Sequence, residues 1–258
     1  MAFSDEMLMS ESMAIVLAAG MGTRMKSDLP KVLCHACGRP LLDYVLDALE
    51  AAGVTRVVVV VGYRGELVRE AVAPRTGVIC VEQTERLGTG HAVKMCRPQI
   101  DAFSGPVVIV AGDSPMIQAV SVGQLLEEFN LTRPACLLGT LHKTDPTGLG
   151  RIVRDSQGNF RGIVEEKDAT DEQRRITEVN MSTYVFASRQ LAHALDLLRN
   201  DNRQREYYLT DCPGILLGEG QAVRALPILR PCESLSVNTP AELELVEVEL
   251  RRMGITDA

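Results

Sequence analysis

The first half of the chain alternates short apolar runs with amphipathic stretches. Continuous β-branched runs predict strands buried on both faces, and the stretches between them place apolar residues on one helical face. Strands are predicted over AIVLA, RVVVVVG, GVICVE, PVVIVAGD and ACLLGTL, and helices over LLDYVLDALEAAG, GELVREAVA, a segment from about His91, and VGQLLEEF. Strands that alternate with helices predict a parallel sheet covered on both faces, which is a doubly wound α/β fold.

The pattern changes in the second half. The segment GLGRIVRDSQGNFRGIVEEKDATD alternates in period two around a turn at Ser156–Gly158, as a β-hairpin does. A strand is predicted over EVNMSTYVF, a helix over SRQLAHALDLL with Ser188 as its N-cap, and a last helix over TPAELELVEVELRR with Thr239 as its cap. No linker-like composition separates the two halves. We therefore predict a flexible leader over residues 1–12 and one domain over residues 13–258, whose second half adds a hairpin lid to the sheet.

The composition limits the classes of partner. The 258 residues are 46% hydrophobic and 24% charged, with a formal net charge of -7 at pH 7. An acidic chain without a broad basic face disfavours nucleic-acid polymers and anionic membranes as partners. No apolar run is long enough for a membrane span, the seven cysteines are scattered, and the first residues, MAFSDEMLMSES, lack the features of a secretory signal. We expect a cytoplasmic protein that binds anions at a local site.

A glycine-rich turn follows the first predicted strand, in the stretch AIVLAAGMGTRMKSDLPKVL. Glycines let backbone N–H groups approach an anion closely, and Arg24, Lys26 and Lys31 add positive charge nearby. Two glycines after a strand can mark a tight turn only, but the added cations favour a phosphate site. Gly22 is followed neither by the residues of a Walker loop nor by the third glycine of a dinucleotide fingerprint, which disfavours a hydride-transfer enzyme. Because ligands of open parallel sheets bind at the carboxyl ends of strands, Asp113 should lie in the same crevice.

Seven further motifs occur in the order found in a known family. They are QTERLGTGHAV, AGDSPMI, GLGRIVRD, GIVEEKDATDEQRRI, EVN, EYYLTD and SVN. With the glycine-rich stretch they resemble the sugar-nucleotide pyrophosphorylases, and among these the bacterial uridylyltransferases that act on N-acetylglucosamine 1-phosphate. The resemblance implies a GT-A-like, Rossmann-like α/β fold, a doubly wound mixed sheet with a β-hairpin lid. It also implies a Mg²⁺-dependent reaction in which UTP and a sugar 1-phosphate give a UDP-sugar and pyrophosphate.

The resemblance also implies roles for individual residues. Arg24 and Lys31 would hold the triphosphate and stabilise the departing pyrophosphate, and Asp113 and Asn238 would be ligands of Mg²⁺, which prefers oxygen donors. Singly, Asp113 could instead cap a helix and Asn238 could be a turn residue. The implied nucleotide-binding residues are Leu17, Ala18, Ala19, Gly20, Gln83, Gly88 and Thr89, and the implied sugar-binding residues are Gly150, Glu165 and Asn180.

Four residues depart from the family pattern near the implied sugar-binding residues. Ala111 stands where an aromatic residue is common, Leu149 where tyrosine is usual, and Met181 and Ser182 where Thr-Gly is common. A uridylyltransferase for a different sugar 1-phosphate therefore stays open, as does the oligomeric state. A non-catalytic nucleotide-sugar-binding regulator on the same fold is the alternative from another class, although it would not need both the cations and the metal pair. The hexapeptide repeats of the family's acetyltransferase domain are absent from this sequence, so acetyl transfer is not expected.

Overall fold

The computed structural model describes residues 11–256, so residues 1–10 of the predicted leader lie outside the described residues. The strands are β1 (Met13–Ala18), β2 (His35–Ala36), β3 (Arg39–Pro40), β4 (Arg56–Val61), β5 (Val78–Glu82), β6 (Pro106–Ala111), β7 (Cys136–His142), β8 (Gly150–Arg154), β9 (Phe160–Val164), β10 (Glu178–Ala187) and β11 (Val223–Leu226). The α-helices are α1 (Leu41–Ala51), α2 (Gly65–Val72), α3 (Thr89–Lys94), α4 (Arg97–Asp101), α5 (Ala119–Thr132), α6 (Asp171–Arg174), α7 (Ser188–Leu197), α8 (Asp211–Gly218) and α9 (Pro240–Arg252). Short 3₁₀ turns cover Thr23–Met25, Lys31–Leu33 and Pro231–Ser234.

Nine strands form one mixed sheet, in the order β11-β7-β10-β6-β1-β4-β5, with β8 paired to β10 and β9 paired to β8. Strands β6, β1, β4 and β5 are parallel, as the first half of the sequence predicts. Strand β10 is antiparallel to both β6 and β7, and β11 is parallel to β7. The second half therefore supplies a central strand and an edge strand as well as the predicted hairpin β8–β9.

Two apolar clusters cover the two faces of the sheet. Because successive residues of a strand point to opposite faces, Ile15 and Ile109 face one cluster, and Val16 and Val108 face the other. Helices α3, α4, α7 and α8 close the first cluster, and α1, α2 and α5 close the second. This arrangement confirms the predicted doubly wound architecture.

A third apolar cluster joins segments that are distant in the sequence. Met25 of the first 3₁₀ turn, Met116 beyond β6 and Val237 before α9 pack against Val246 and Leu250 of α9. Each of these first three residues is a close neighbour in sequence of a predicted site residue. The last helix therefore fixes three site-bearing segments against one another. Among residues 11–256, none of the helices combines the length and the apolar character that a membrane crossing needs.

The two predicted helix caps have different outcomes. The Thr239 hydroxyl accepts a hydrogen bond from the Glu242 N–H at 3.3 Å, with Pro240 as the first helical residue, so this prediction is confirmed. The prediction of Ser188 as an N-cap is wrong, because Ala187 holds that position and Ser188 is the first helical residue. The reason is that β10 continues through Ala187, whose N–H donates to the Ala135 carbonyl oxygen, so sheet pairing sets the start of α7.

Candidate functional site

An open cavity of about 310 Å³ lies at the carboxyl ends of β1, β5 and β6. Its wall includes Lys31, Asp113 and Ala111, and also Arg86 and Glu206, which the sequence did not indicate as site residues. All the predicted nucleotide-binding residues line it as well, namely Leu17, Ala18, Ala19, Gly20, Gln83, Gly88 and Thr89. The convergence expected from strand-end positions is therefore found at this edge of the sheet.

The glycine-rich loop (residues 19–31) folds back on itself at Gly22. This residue has a φ of 60°, in the left-handed region that favours glycine, and a Cβ there would lie 2.6 Å from the Cβ of Lys31. The Gly22 carbonyl oxygen accepts from the Met25 N–H at 2.9 Å, which closes the following 3₁₀ turn. The absence of a side chain at Gly22 thus allows Lys31 to lie directly against the turn.

Two cations and two oxygen donors meet beside the loop, in a cation–oxygen cluster formed by Arg24, Lys31, Asp113 and Asn238. The Lys31 ammonium forms an ion pair with the Asp113 carboxylate and donates to Asn238 Oδ1 at 2.8 Å. Arg24 Nη2 donates to the same oxygen at 3.1 Å. The Asp113 carbonyl oxygen also accepts from the Val237 N–H at 3.0 Å, which holds the Asp113 and Asn238 segments together.

This cluster has the donor chemistry of a magnesium site. Asp113 Oδ2 and Asn238 Oδ1 both face one cation position, which the Lys31 ammonium occupies. A carboxylate and an amide oxygen are ligands that Mg²⁺ accepts, and this ion usually keeps several waters. Within residues 11–256 there is no group of three or more His, Cys, Asp and Glu residues that could hold a metal. The two oxygens alone do not complete the ligand set of Mg²⁺, so an ion held there would need further ligands from outside the protein.

The loop over residues 83–90 is called here the base loop, because the family resemblance implies that it contacts the nucleotide base, and it is held by its own hydrogen bonds. Gln83 Nε2 donates to the Gly88 carbonyl oxygen at 3.0 Å and lies 3.2 Å from Nδ1 of His91. Gly88 has a φ of 102°, and a Cβ there would lie 2.6 Å from the Tyr207 carbonyl oxygen. Tyr207 in turn donates its N–H to the Leu87 carbonyl oxygen at 2.7 Å. A glycine is required here because the loop lies against the backbone of another segment.

The predicted sugar-binding residues, Gly150, Glu165 and Asn180, also lie together. Gly150 pairs directly with Asn180 across β8 and β10, and a Cβ on Gly150 would lie 3.6 Å from Glu165 Oε2. Asn180 Nδ2 donates to the Tyr184 hydroxyl at 2.7 Å. Because β10 is antiparallel to β6, Asn180 lies toward the carboxyl end of β6, the edge that bears the cavity. The structure thus brings the three together next to the cavity, but they do not line it.

Glu165 is bound by a residue that the sequence did not single out. The Thr210 hydroxyl donates to Glu165 Oε1 at 2.9 Å. Burial raises the pKa of Glu165, and this hydrogen bond opposes the shift because it favours the charged carboxylate. The sequence signal for Thr210 is its place in the motif EYYLTD, which has no glycine or cation to suggest a role.

The four departures from the family pattern fall in different environments. Ala111 lines the cavity, whereas Met181 is buried in the core and Leu149 packs against it. Ser182 has a φ of 54° at a bulge where the pairing of β10 with β7 shifts register. Glycine adopts this conformation without the steric cost that a Cβ brings, which explains why the family commonly has glycine at the position of Ser182.

Arg86 is the further cation that sequence analysis missed. It is exposed at the cavity, its guanidinium contacts the Met21 side chain of the glycine-rich loop, and its Cζ lies 6.0 Å from the centre of the Tyr63 ring. Arg86 therefore bridges the base loop and the glycine-rich loop. The signal was available, because Arg86 is the one Lys or Arg in the motif QTERLGTGHAV.

Comparisons with known proteins agree with this geometry. Residues 14–211 match the family described as the MobA-like NTP transferase domain. The chain is 42% identical to the bifunctional protein GlmU of Pelotomaculum thermopropionicum over 244 residues. This match covers 95% of this chain and 53% of that protein. It is 40% identical to the bifunctional protein GlmU of Clostridioides difficile over 239 residues, and this match covers 93% of this chain and 51% of that protein. The chain thus spans about half the length of the curated relatives it matches.

The fold is also similar to that of a solved structure. A crystal structure of a UDP-glucose pyrophosphorylase complexed with UDP-glucose superposes with a TM-score of 0.76 over 94% of this chain and 99% of that one. The sequences are 14% identical, so this similarity concerns the fold alone. It confirms the predicted GT-A-like fold, and the sequence matches confirm the family predicted from the motifs.

Proposed function

We propose that this chain, which belongs to the MobA-like NTP transferase family, is a sugar-1-phosphate uridylyltransferase that works as one domain over residues 13–258. The reaction is UTP plus N-acetylglucosamine 1-phosphate to UDP-N-acetylglucosamine and pyrophosphate. The observation that carries the proposal is the convergence of Lys31, Asp113 and Asn238 beside a cavity walled by the glycine-rich loop and the base loop.

The cations of the cluster suit the chemistry of phosphoryl transfer. A phosphate oxygen of the sugar 1-phosphate attacks the α-phosphorus of UTP in line, the bond to the β-phosphate breaks, and pyrophosphate leaves. Such reactions are accelerated by positioning and by neutralising negative charge, and need no nucleophile from the protein. Arg24 and Lys31 meet at the same oxygen, Asn238 Oδ1, so these two cations would together bind the triphosphate and stabilise the leaving pyrophosphate.

Asp113 and Asn238 would hold Mg²⁺ through their side-chain oxygens. When bound there, the ion would neutralise charge on the phosphate oxygens that complete its ligand set. The Asp113 carboxylate would have a second role, because it forms an ion pair with the Lys31 ammonium and so orients it.

The base loop supports a preference for uracil. Because Gln83 Nε2 already donates to the Gly88 carbonyl oxygen, the remaining side-chain atom of Gln83 is the acceptor Oε1. Uracil presents a donor at N3–H to such an acceptor, whereas cytosine has an acceptor at N3. A buried mismatch of this kind costs enough free energy to separate UTP from CTP.

The choice of N-acetylglucosamine 1-phosphate as the sugar substrate rests on the carboxylate of Glu165 and the amide of Asn180, which lie beside Gly150. A carboxylate accepts from sugar hydroxyls, and an amide can bond a hydroxyl or an N-acetyl group. Ala111 lines the cavity where the family commonly has an aromatic residue, and this favours one second candidate, a uridylyltransferase for another hexose 1-phosphate.

Pyrophosphate release in the presence of Mg²⁺ tests this function. Each of the four NTPs is combined with N-acetylglucosamine 1-phosphate, glucose 1-phosphate and galactose 1-phosphate. We expect strong release only with UTP and N-acetylglucosamine 1-phosphate. Release with UTP and a different sugar supports the second candidate, and no release by folded protein that binds UTP contradicts an enzymatic function and supports a regulator.

A further inference from the structure

The segment Glu206–Asp211, called here the brace segment, contacts both parts of the proposed site. At one end its backbone holds the base loop. The Tyr207 N–H donates to Leu87, and the Tyr207 carbonyl oxygen accepts from the Gly90 N–H, each at 2.7 Å. The Leu209 N–H donates to the Thr89 hydroxyl at 3.1 Å. The brace segment therefore lies against the residues that line the nucleotide cavity, and its first residue, Glu206, lines the cavity itself.

At its other end the brace segment reaches the proposed sugar-binding carboxylate. The Thr210 hydroxyl donates to Glu165 Oε1 at 2.9 Å, which leaves Oε2 on the side of Gly150. In the part of the chain that the structure describes, Thr210 is the only side chain that donates a hydrogen bond to Glu165. The orientation of this carboxylate therefore depends on one hydroxyl group.

The charged groups around Glu165 are mostly negative. Asp168 and Lys167 belong to its own loop and Asp211 begins α8, while the uncharged phenol groups of Tyr184 on β10 and Tyr208 on the brace segment also interact with it. The pKa of Asp211 is raised to about 6 by partial burial and by the charge of Glu165. These negative neighbours disfavour the charged form of Glu165, and the hydrogen bond from the Thr210 hydroxyl favours it.

We propose that Thr210 is a positioning residue for the sugar phosphate, which acts by fixing Glu165 so that Oε2 can accept from a sugar hydroxyl. This inference rests on the function proposed above. Since the same short segment holds the base loop through its backbone and the sugar carboxylate through one side chain, the two effects can be separated. Removing the hydroxyl should change recognition of the sugar phosphate and leave recognition of UTP unchanged.

The test compares Thr210→Val, which removes the hydroxyl at nearly constant volume, with Thr210→Ser, which keeps it. Thr132→Val is the matched control, because Thr132 is exposed at the end of α5 and its hydroxyl donates only to the Glu128 carbonyl oxygen. We expect Thr210→Val to raise KM for the sugar phosphate about 10-fold, as for loss of a hydrogen bond to a charged group. KM for UTP should change less than about twofold, and Thr210→Ser and Thr132→Val should behave as the unaltered protein does.

The pH profile is a second measurement, and it would not change if Thr210 had a structural role only. Loss of the hydroxyl disfavours the charged form of Glu165, so its pKa rises. The acid limb of kcat/KM for the sugar phosphate should therefore move to higher pH in Thr210→Val and return in Thr210→Ser. If Thr210→Val does not fold, Thr210→Ala against Thr210→Ser gives the same comparison.

Three outcomes overturn the inference. An unchanged KM for the sugar phosphate in Thr210→Val means that the hydroxyl does not position Glu165. If Thr210→Val raises KM equally for the sugar phosphate and for UTP, and Thr210→Ser does not restore either value, then Thr210 has a structural role only. No turnover of any sugar phosphate by the unaltered protein overturns the proposed function first, and the inference with it, which distinguishes the two failures.

Discussion

The two parts of the proposed site are built from different kinds of structure. The nucleotide part consists of loops that follow parallel strands, and much of its wall is backbone brought close by Gly22 and Gly88. The sugar part lies on and directly after antiparallel strands, where Gly150 of β8 pairs with Asn180 of β10 and Glu165, just beyond β9, is held by a single hydroxyl group. Backbone contacts tolerate many side-chain changes, whereas side-chain contacts do not.

Three of the four departures from the family pattern lie in the sugar part. Leu149, Met181 and Ser182 lie in or next to β8 and β10, whereas Ala111 lines the cavity of the nucleotide part. The cation–oxygen cluster and the base loop carry no such departure. We infer that the nucleotide part defines the reaction and that the sugar part defines which sugar phosphate is used.

The largest expected effect comes from the cation–oxygen cluster. Asp113→Asn removes the carboxylate that pairs with Lys31, and we expect kcat to fall about 10³-fold, as when transition-state charge stabilisation is lost. Asp101→Asn, which removes an exposed carboxylate on α4, is the control and should retain full activity. Near-normal turnover by folded Asp113→Asn with Mg²⁺ would contradict the assignment of Asp113.

The next effect concerns the framework of the sugar part. Glu178 is nearly buried and accepts from both Arg154 Nε and Nη2 at 2.7 Å and from Thr140 at 2.6 Å. Glu178→Gln breaks this part-buried pair and should lower the free energy of unfolding by about 2 kcal/mol at pH 7, as for loss of hydrogen bonds to a charged group. Glu128→Gln is the control, since Glu128 pairs with Arg224 in an exposed ion pair that is worth at most about 1 kcal/mol. Urea denaturation measures both.

The pH dependence of this effect has a definite sign. Burial alone would raise the pKa of Glu178, but the hydrogen bonds from Arg154 and Thr140 outweigh it and lower the pKa below its ordinary value. Its stabilising contribution is therefore fully present above the unfolded pKa of about 4.3 and is lost as the pH falls through the lowered folded value. The difference in free energy of unfolding between the unaltered protein and Glu178→Gln should shrink below about pH 4.3. A difference that stays constant with pH would contradict an ion pair between Glu178 and Arg154.

A smaller effect separates the base loop from the sugar part. Gln83→Ala removes the side chain that closes the base loop on Gly88, and the preference for UTP over CTP should fall about 10-fold. KM for the sugar phosphate should stay the same, because Gln83 has no contact with Glu165 or Asn180. Competition assays with the two nucleotides measure this ratio, and an unchanged ratio would remove Gln83 from base recognition.

The smallest effect tests backbone strain in the sugar part. Ser182→Gly relieves a left-handed conformation with a φ of 54° and should raise the free energy of unfolding by about 1 kcal/mol. Ser104→Gly, at an exposed position outside the left-handed region, should lower it slightly, because glycine adds freedom to the unfolded chain. An equal decrease in the free energy of unfolding in both variants would show that the backbone at Ser182 is not strained.

The position of the glycine-rich loop could be predicted from the sequence because its signals are local. Apolar runs and the following glycines and cations lie within one short stretch, and strand-end positions imply their convergence. The sugar part depends on pairing between distant segments, such as Thr210 with Glu165, which no local period reveals. The same limit applies to β11 and α8, which were not predicted, and to Ser188, whose cap position was overridden by the pairing of Ala187.

The structure of the protein crystallised with UDP-N-acetylglucosamine and Mg²⁺ tests the central claim most directly. The account predicts uracil against Gln83 and the base loop, the metal on Asp113 and Asn238, and a sugar hydroxyl on Glu165. A nucleotide bound in the cavity with its sugar directed away from Glu165 and Asn180, or bound at another place in the molecule, would contradict a single site made of these two parts.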